Sequence, residues 1–346
     1  MTNVYVGMSG GVDSSLTAAL LKEQGYSVTG VYMKNWTQDL PGMKCPWADD
    51  LADAKRVAVQ LDIPFKVFDF QKEYKQKVVD YMIKEYEAGR TPNPDIMCNQ
   101  EVKFKLFLEA ALEDGADMIA TGHYAKTDNQ RLLMAEDHNK DQTYFLYRIT
   151  EKALKKTLFP LGEFKKPEVR KMAASRGLMT AAKKDSQGIC FVGKVGIRDF
   201  LSQYVKTKPG KIIEKTNNKT LGMHDGAIFY TIGQRHGLDV GGGLPYYVVG
   251  KDMKKNEVYV TTDLNDDTLW RNSLDLTDVH WINNVPDFNK DYQVRLRHRA
   301  ELIVATLQKQ GKNVVVKLKA PERAITTGQS AVIYDGTTVV GGGIVS

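Results

Sequence analysis

The run best suited to chemistry is Ser9-Gly10-Gly11-Val12-Asp13-Ser14-Ser15. Two glycines let successive backbone N–H groups curl around an anion. Three serines add hydroxyls, and a helix beginning here brings its partial positive charge. Asp13 suits an anion cradle only if a cation comes along, and Mg²⁺ bridging carboxylate and phosphate is the simplest choice. No Gly-Lys-Ser/Thr makes this a Walker loop, and no G-x-G-x-x-G opens the helix. Ser and Asp are also ordinary helix caps, but the complete run favours nucleotide binding. Two of the three cysteines sit in polar loops. Cys98 lies in Thr91-Pro92-Asn93-Pro94-Asp95-Ile96-Met97-Cys98-Asn99, a turn-rich stretch ahead of a helix expected near Lys103. That position favours thiolate character. Cys190 follows Lys183, Lys184 and Gly188, whose charges and freedom suit a reactive thiol in a mobile loop. Cys45, in Lys44-Cys45-Pro46-Trp47, reads as a small buried hydrophobe.

The elements that must position these groups follow from periodicity. Strands are expected over Asn3–Met8, Ser27–Met33, Pro64–Phe70 and Met118–Ala120. Helices are expected over Ser15–Gln24, Asp49–Leu61, Glu73–Ala88, Lys103–Glu113 and Pro167–Arg176. Strands separated by helices of this length predict an α/β fold with a doubly wound parallel sheet, with the glycine-rich loop at the carboxyl end of its first strand. From about Tyr204 helical periodicity fades. Lys206–Lys219 reads as a linker or an exposed hairpin, Tyr246–Asp263 alternates in the manner of strands, and Asp335-Gly336 marks a tight hairpin. The expected organisation is a nucleotide-binding part over 1–203, a small mixed module over 204–273 and a C-terminal β-barrel over 274–346.

The 346 residues, 42% hydrophobic and 26% charged, exclude a disordered, collagen-like or coiled-coil chain. No apolar run reaches the roughly 20 residues of a membrane helix, and the chain opens on a strand rather than a secretory signal. Three scattered cysteines point to a reducing compartment, so the expectation is a cytoplasmic protein without a membrane partner. A net charge of +6 permits a nucleic-acid partner without demanding one. Arg295, Arg297 and Arg299 alternate, so on a strand they would share one face and track phosphates, unless that face is only solvated beside acidic partners. No histidine spacing suits zinc.

The loop Ser9–Ser15 resembles the signature of the PP-loop ATP pyrophosphatases, which cleave ATP between the α and β phosphates. Further motifs follow in order. They are NPDIMCN (93–99), TGHYA (121–125), DSQGICF (185–191), GQSAVIYDG (328–336) and VGGGIV (340–345). Together the set resembles the bacterial tRNA-specific 2-thiouridylases over essentially the whole chain. The resemblance implies ATP and Mg²⁺ held by Gly7, Met8, Ser9, Gly10, Gly11, Val12, Asp13 and Ser14, with Asp13 on the metal and Met33 and Gly122 lining the adenosine pocket. It implies that the O2 atom of a tRNA wobble uridine is adenylated. Sulfur then comes from a persulfide on Cys190, supplied by a cysteine desulfurase or a relay protein. Cys98 serves as second catalytic cysteine, either releasing sulfide or forming a disulfide with Cys190. Asn93, Pro94 and Asp95 would meet a flipped-out base, Asp95 handling the proton. His123, Lys140, Asp141, Gln142, Arg297, His298 and Gln329 would contact tRNA. Two other readings stay open: a PP-loop synthetase using ammonia, which needs no cysteine pair, and an RNA-binding protein with a vestigial nucleotide site.

Overall fold

The computed structural model describes residues 1–39, 45–185, 196–241 and 243–346. The chain lays down strands β1 (Asn3–Gly7), β2 (Ser27–Lys34), β3 (Phe65–Asp69) and β4 (Met118–Thr121), a short hairpin of β5 (Lys126–Asp128) and β6 (Arg131–Leu133), and β7 (Thr157–Leu158). β1 to β4 and β7 form an all-parallel sheet in the order β3-β2-β1-β4-β7. Both faces are covered, which is why β1 is almost uniformly buried. Val4 and Val6 face the helices Val12–Glu23, Trp47–Gln60 and Lys166–Ser175. Tyr5 and Val31 face the helical stretches of residues 71–87 and 94–113. This is the doubly wound sheet that the strand–helix alternation predicts. The strand order reverses beside β1, so a crevice opens at the carboxyl ends of β1 and β4.

One helix begins nine residues before its expected start. The Asn93 side chain accepts hydrogen bonds from the N–H groups of Asp95 (3.2 Å) and Ile96 (3.4 Å), and Pro94 occupies the first helical position. The polar, proline-rich stretch that reads as a turn is therefore a helix cap. The helix runs from Pro94 through wide i→i+5 turns over Cys98–Leu106 to Glu113, a deformation frequent at functional sites.

Strands β8 (Gly210–Glu214), β9 (Thr220–His224), β10 (Tyr247–Asp252) and β11 (Glu257–Thr261) form a mixed sheet in the order β10-β11-β8-β9, closed over Ile212, Tyr230, Leu238, Val248 and Val258. Lys206–Lys219 is thus the first arm and turn of a hairpin, and its apolar residue Ile212 lies in the core rather than exposed. Strands β12 (Trp270–Trp281), β13 (Asp291–Arg295), β14 (Ile303–Gln310), β15 (Asn313–Arg323), β16 (Ser330–Asp335) and β17 (Thr338–Val345) close into a six-stranded antiparallel barrel, because β12 pairs with both β15 and β17. Gly336, with φ +59°, turns the β16–β17 hairpin. The β5–β6 hairpin adds to the edge of β17, pairing Leu132 with Val339. The strands it joins lie more than 200 residues apart, and each arm of the hairpin is three residues long.

The expected row of three arginines on a strand does not form. β13 ends at Arg295, which is buried against Asp141 (2.9 Å). Arg297 is exposed and donates to the carbonyls of Arg323 (2.8 Å) and Ala324 (2.5 Å), and Arg299 takes a left-handed turn, φ +65°. Alternation puts residues on one face only while the chain stays extended, and here it does not.

Candidate functional site

The glycine-rich loop leaves β1 and enters the Val12–Glu23 helix. Gly10 has φ +74°, and a Cβ there would lie 2.3 Å from the Asp50 carbonyl oxygen, so only glycine fits. Gly11 precedes the helix with no side-chain cap, leaving the first N–H groups to a ligand. Ser14 Oγ accepts from Ser9 N–H (3.1 Å) and donates to the Gly11 carbonyl (3.2 Å), while Ser15 Oγ also donates to Gly11 (2.8 Å). The Ser14 and Ser15 hydroxyls therefore shape the loop from inside. Gly122, just past β4, presses on it: a Cβ there would stand 2.8 Å from Ser14 N. Met8 is buried, and Met33 reaches Gly7, where a Cβ would meet its Cε at 3.0 Å.

Asp13 is not an isolated carboxylate. Lys166 Nζ lies 2.7 and 2.8 Å from its oxygens, and the Tyr124 hydroxyl donates to it at 3.0 Å. Lys166 also pairs with Asp185 (2.8 Å), which binds Lys140 (2.7 Å) and Arg170 (2.8 Å). Burial pushes the Asp185 carboxyl up, but hydrogen bonds from Lys140 and Lys166 outweigh it and hold it at about 2. Burial, then the Asp13 charge, push the Tyr124 phenol far up, so it remains a donor. Three cations face two carboxylates, an excess of positive charge beside the glycine-rich loop. Among the described residues no three His, Cys, Asp or Glu side chains converge on a metal site. Mg²⁺ takes oxygen ligands, and Asp13 is the carboxylate of this loop whose chemistry fits one. Lys166 carries no signal in the sequence, since Lys165-Lys166-Pro167 reads only as a helix start, while Tyr124 and Asp185 stand in the motifs of 121–125 and 185–191 without a role of their own.

Across the end of β4 lies the Asp95–Cys98 turn. Burial raises the Asp95 carboxyl and, more fully, the Cys98 thiol; Lys103 opposes both shifts without cancelling them. Cys98 sits inside the helix rather than ahead of it, so the expected thiolate character is replaced by a protonated, buried thiol. His123 lies between Phe104 and Phe159, with Nδ1 2.8 Å from Thr121 Oγ1 and Nε2 3.3 Å from Lys103 Nζ. Burial, then Lys103, drive its pKa well below the usual value and keep it neutral. Three consecutive residues thus join the two halves. Gly122 touches the loop, His123 meets Lys103, and Tyr124 binds Asp13.

Cys190 lies outside the described residues, as do its neighbours from 186 to 195. Lys183, expected beside it, is held by Asp50 and Asp53, both at 2.7 Å. Cys45 and Cys98 are free thiols, and burial raises Cys45 too. The residues expected at an RNA surface divide. Asp141 is fully buried, accepting from Ala135 N–H (3.1 Å), Thr143 Oγ1 and Arg295, so its carboxylate locks the barrel to the parallel-sheet layer and does not face outward. Lys140 and Gln142 are half-buried, Gln142 bound to Tyr124 N–H (2.9 Å). The His298 ring packs 4.5 Å from Phe145, and Gln329 Nε2 donates to the Thr91 carbonyl (2.8 Å).

Family descriptions match the chain in three consecutive stretches. They are a tRNA methyl transferase HUP domain over residues 2–194, a tRNA methyl transferase PRC-barrel domain over 198–262 and an aminomethyltransferase beta-barrel domain over 271–345. Curated relatives align throughout. The tRNA-specific 2-thiouridylase MnmA of Streptococcus sanguinis is 46% identical over 353 residues, covering 99% of this chain and 94% of that protein. The corresponding protein of Lactococcus lactis subsp. lactis is 47% identical over 356 residues, with coverage of 99% and 94%. Among solved structures, a 4-thiouridine synthetase–RNA complex with bound ATP aligns at TM-score 0.39 and 19% identity, covering 58% of this chain and 50% of that one. On the full-length identity to the curated relatives, the chain belongs to the tRNA-specific 2-thiouridylase family.

Proposed function

We propose that this protein is a tRNA-uridine 2-sulfurtransferase that uses ATP to replace the C2 oxygen of a wobble uridine with sulfur, in tRNAs of the lysine, glutamate and glutamine type. One observation carries the reading. Residues 122–124 form a single wall whose first residue touches the glycine-rich loop and whose second meets the cation beside a half-buried carboxyl and a buried thiol.

The loop residues Gly7–Ser14 hold the triphosphate through backbone N–H groups, with Met33 and Gly122 beside the adenosine. Asp13 would hold Mg²⁺, which would neutralise phosphate charge. The uracil O2 attacks the α-phosphorus, the bond to the β-phosphate bridging oxygen breaks, and pyrophosphate leaves. The N3 proton passes to a base, and Asp95, raised toward neutrality by burial, is suited to accept it. The terminal persulfide sulfur on Cys190 then attacks C2 and AMP departs with the original oxygen. Cys98 attacks the Cys190 sulfur, leaving sulfur on the base and a Cys98–Cys190 disulfide. Alternatively, Cys98 attacks first and frees sulfide as the nucleophile. Lys103 stabilises the Cys98 thiolate as it forms. The persulfide comes from a cysteine desulfurase or a relay protein. Arg297, His298, Lys140 and Gln142 offer polar groups at the RNA side, and the flipped base enters beside Asn93 and Pro94. A cytoplasmic setting accords with this substrate. No helix among the described residues is long and apolar enough to cross a membrane.

The test supplies α-labelled ATP, Mg²⁺, a desulfurase with cysteine, and an unmodified glutamate tRNA transcript. The reading expects AMP and 2-thiouridine, each only with tRNA. AMP without 2-thiouridine points to a different PP-loop ligase, and tRNA binding without AMP points to an RNA-binding role.

A further inference from the structure

The turn bearing Asp95 and Cys98 begins at Thr91, and all three polar groups of Thr91 are held by the other two parts of the molecule. Its N–H donates to the Thr327 carbonyl (2.9 Å), its carbonyl accepts from Gln329 Nε2 (2.8 Å), and its hydroxyl lies 3.2 Å from Thr231 Oγ1. Thr327 and Gln329 lead into barrel strand β16, while Thr231 belongs to the middle module. Between the two barrel residues sits Gly328, φ +88°, where a Cβ would lie 2.8 Å from Thr91 N and 2.9 Å from Arg90 Cβ. Contact this close requires glycine. Arg90 is itself fixed to the preceding helix by a forked pair with Glu85, at 2.5 and 2.6 Å.

Beyond Thr91 the backbone has little freedom. Pro92 and Pro94 each lock φ, and Asn93 is tied to Asp95 and Ile96 by its cap. A shift at Thr91 therefore passes to Asp95 and, through the helix that begins at Pro94, to Cys98.

We propose that the barrel and the middle module set the position of Asp95 and Cys98 by gripping Thr91, and that Gln329 is a positioning residue whose amide holds this turn instead of tRNA. The proposal rests on the reading of Asp95 and Cys98 as reacting residues. It gives the two accessory parts a task in the chemistry beyond carrying RNA.

The test uses full-length Gln329→Ala and Gly328→Ala. It measures kcat and KM for 2-thiouridine formation, ATP affinity, and the rate of iodoacetamide labelling at Cys98, followed by peptide mass spectrometry. Gln329→Ala is expected to lower kcat by about tenfold to a hundredfold, the scale of a misplacement near 1 Å. KM for tRNA and ATP affinity stay within about twofold. Cys98 labels about tenfold faster, because a loosened turn opens more often. Gly328→Ala is expected to act in the same direction and more strongly; Gln329→Ala decides if Gly328→Ala fails to fold. A raised KM with intact kcat in Gln329→Ala would make this residue an RNA contact and overturn the proposal, as would unchanged Cys98 labelling. If the unaltered protein forms no 2-thiouridine, the sulfurtransferase reading fails, while the labelling rates still decide the grip on Thr91.

Discussion

On one side of Gly122, Asp13, Lys166, Asp185, Arg170 and Lys140 form a chain of ion pairs no longer than 2.8 Å. On the other side, Lys103 faces Asp95, Cys98 and His123, and burial governs all three. The first half gathers three cations around two carboxylates, holds the Asp185 pKa at about 2 and leaves positive charge over beside the glycine-rich loop. In the second, burial raises the carboxyl and the thiol and lowers the imidazole, so the thiol and the imidazole stay uncharged until a substrate changes their surroundings. The reaction proposed above has two steps of opposite character that this contrast would serve. Its activation step binds a polyanion, whereas its sulfur-transfer step releases a thiolate only when the adenylated base is present.

Cys98→Ser breaks the second half alone. It should cut 2-thiouridine formation by more than about a thousandfold while ATP affinity holds, the size expected on losing a nucleophile. Single-turnover assays with labelled ATP separate the two. Lys166→Met breaks the first half. It removes a charge-assisted contact of about 1.5–3 kcal/mol and leaves Asp13 and Asp185 to repel the phosphates. Calorimetry should show ATP·Mg²⁺ binding weakened by about tenfold to a hundredfold, with Cys98 labelling unchanged. Lys103→Met sharpens the contrast. With the opposing cation gone, the Cys98 thiol rises further, and the labelling-rate profile at Cys98 moves to higher pH, slowing labelling at pH 7 by about tenfold per unit moved.

The smallest effect concerns stability. His123 is neutral in the folded protein because burial depresses its pKa, whereas the unfolded chain takes up a proton near pH 6.5. Its contribution is therefore present above that pH and lost as pH falls below it, at a slope of up to about 1.4 kcal/mol per pH unit. Urea titrations between pH 7 and 5 should show this slope, and His123→Gln should flatten it. Asp95 runs oppositely. Its raised carboxyl disfavours the folded state as pH climbs through the folded pKa, so Asp95→Asn should stabilise at neutral pH.

The placement of the glycine-rich loop was legible because its seven residues are consecutive and sit where a strand meets a helix. The parallel sheet followed from the same alternation, and the tight turn at Asp335-Gly336 from its residue pair. What escaped was whatever depends on folding. Lys166 meets Asp13 across 153 residues, and nothing near Lys166 in the chain signals a ligand. Asn93 and Pro94 carry the same residue types whether they make a turn or cap a helix, so the environment of Cys98 came out inverted, buried where exposure to a helix terminus was expected. Arg295 fell to the inside because Asp141 supplies a buried counter-charge, which alternation cannot reveal.

The most direct test of the account follows one oxygen atom. A tRNA carrying ¹⁸O at C2 of the wobble uridine is incubated with this protein, ATP, Mg²⁺ and a persulfide source, and the products are weighed by mass spectrometry. The account predicts one ¹⁸O in each AMP formed and none in pyrophosphate, with 2-thiouridine in equal amount. The label in pyrophosphate, or AMP without ¹⁸O, would contradict the attack of the uracil oxygen on the α-phosphorus.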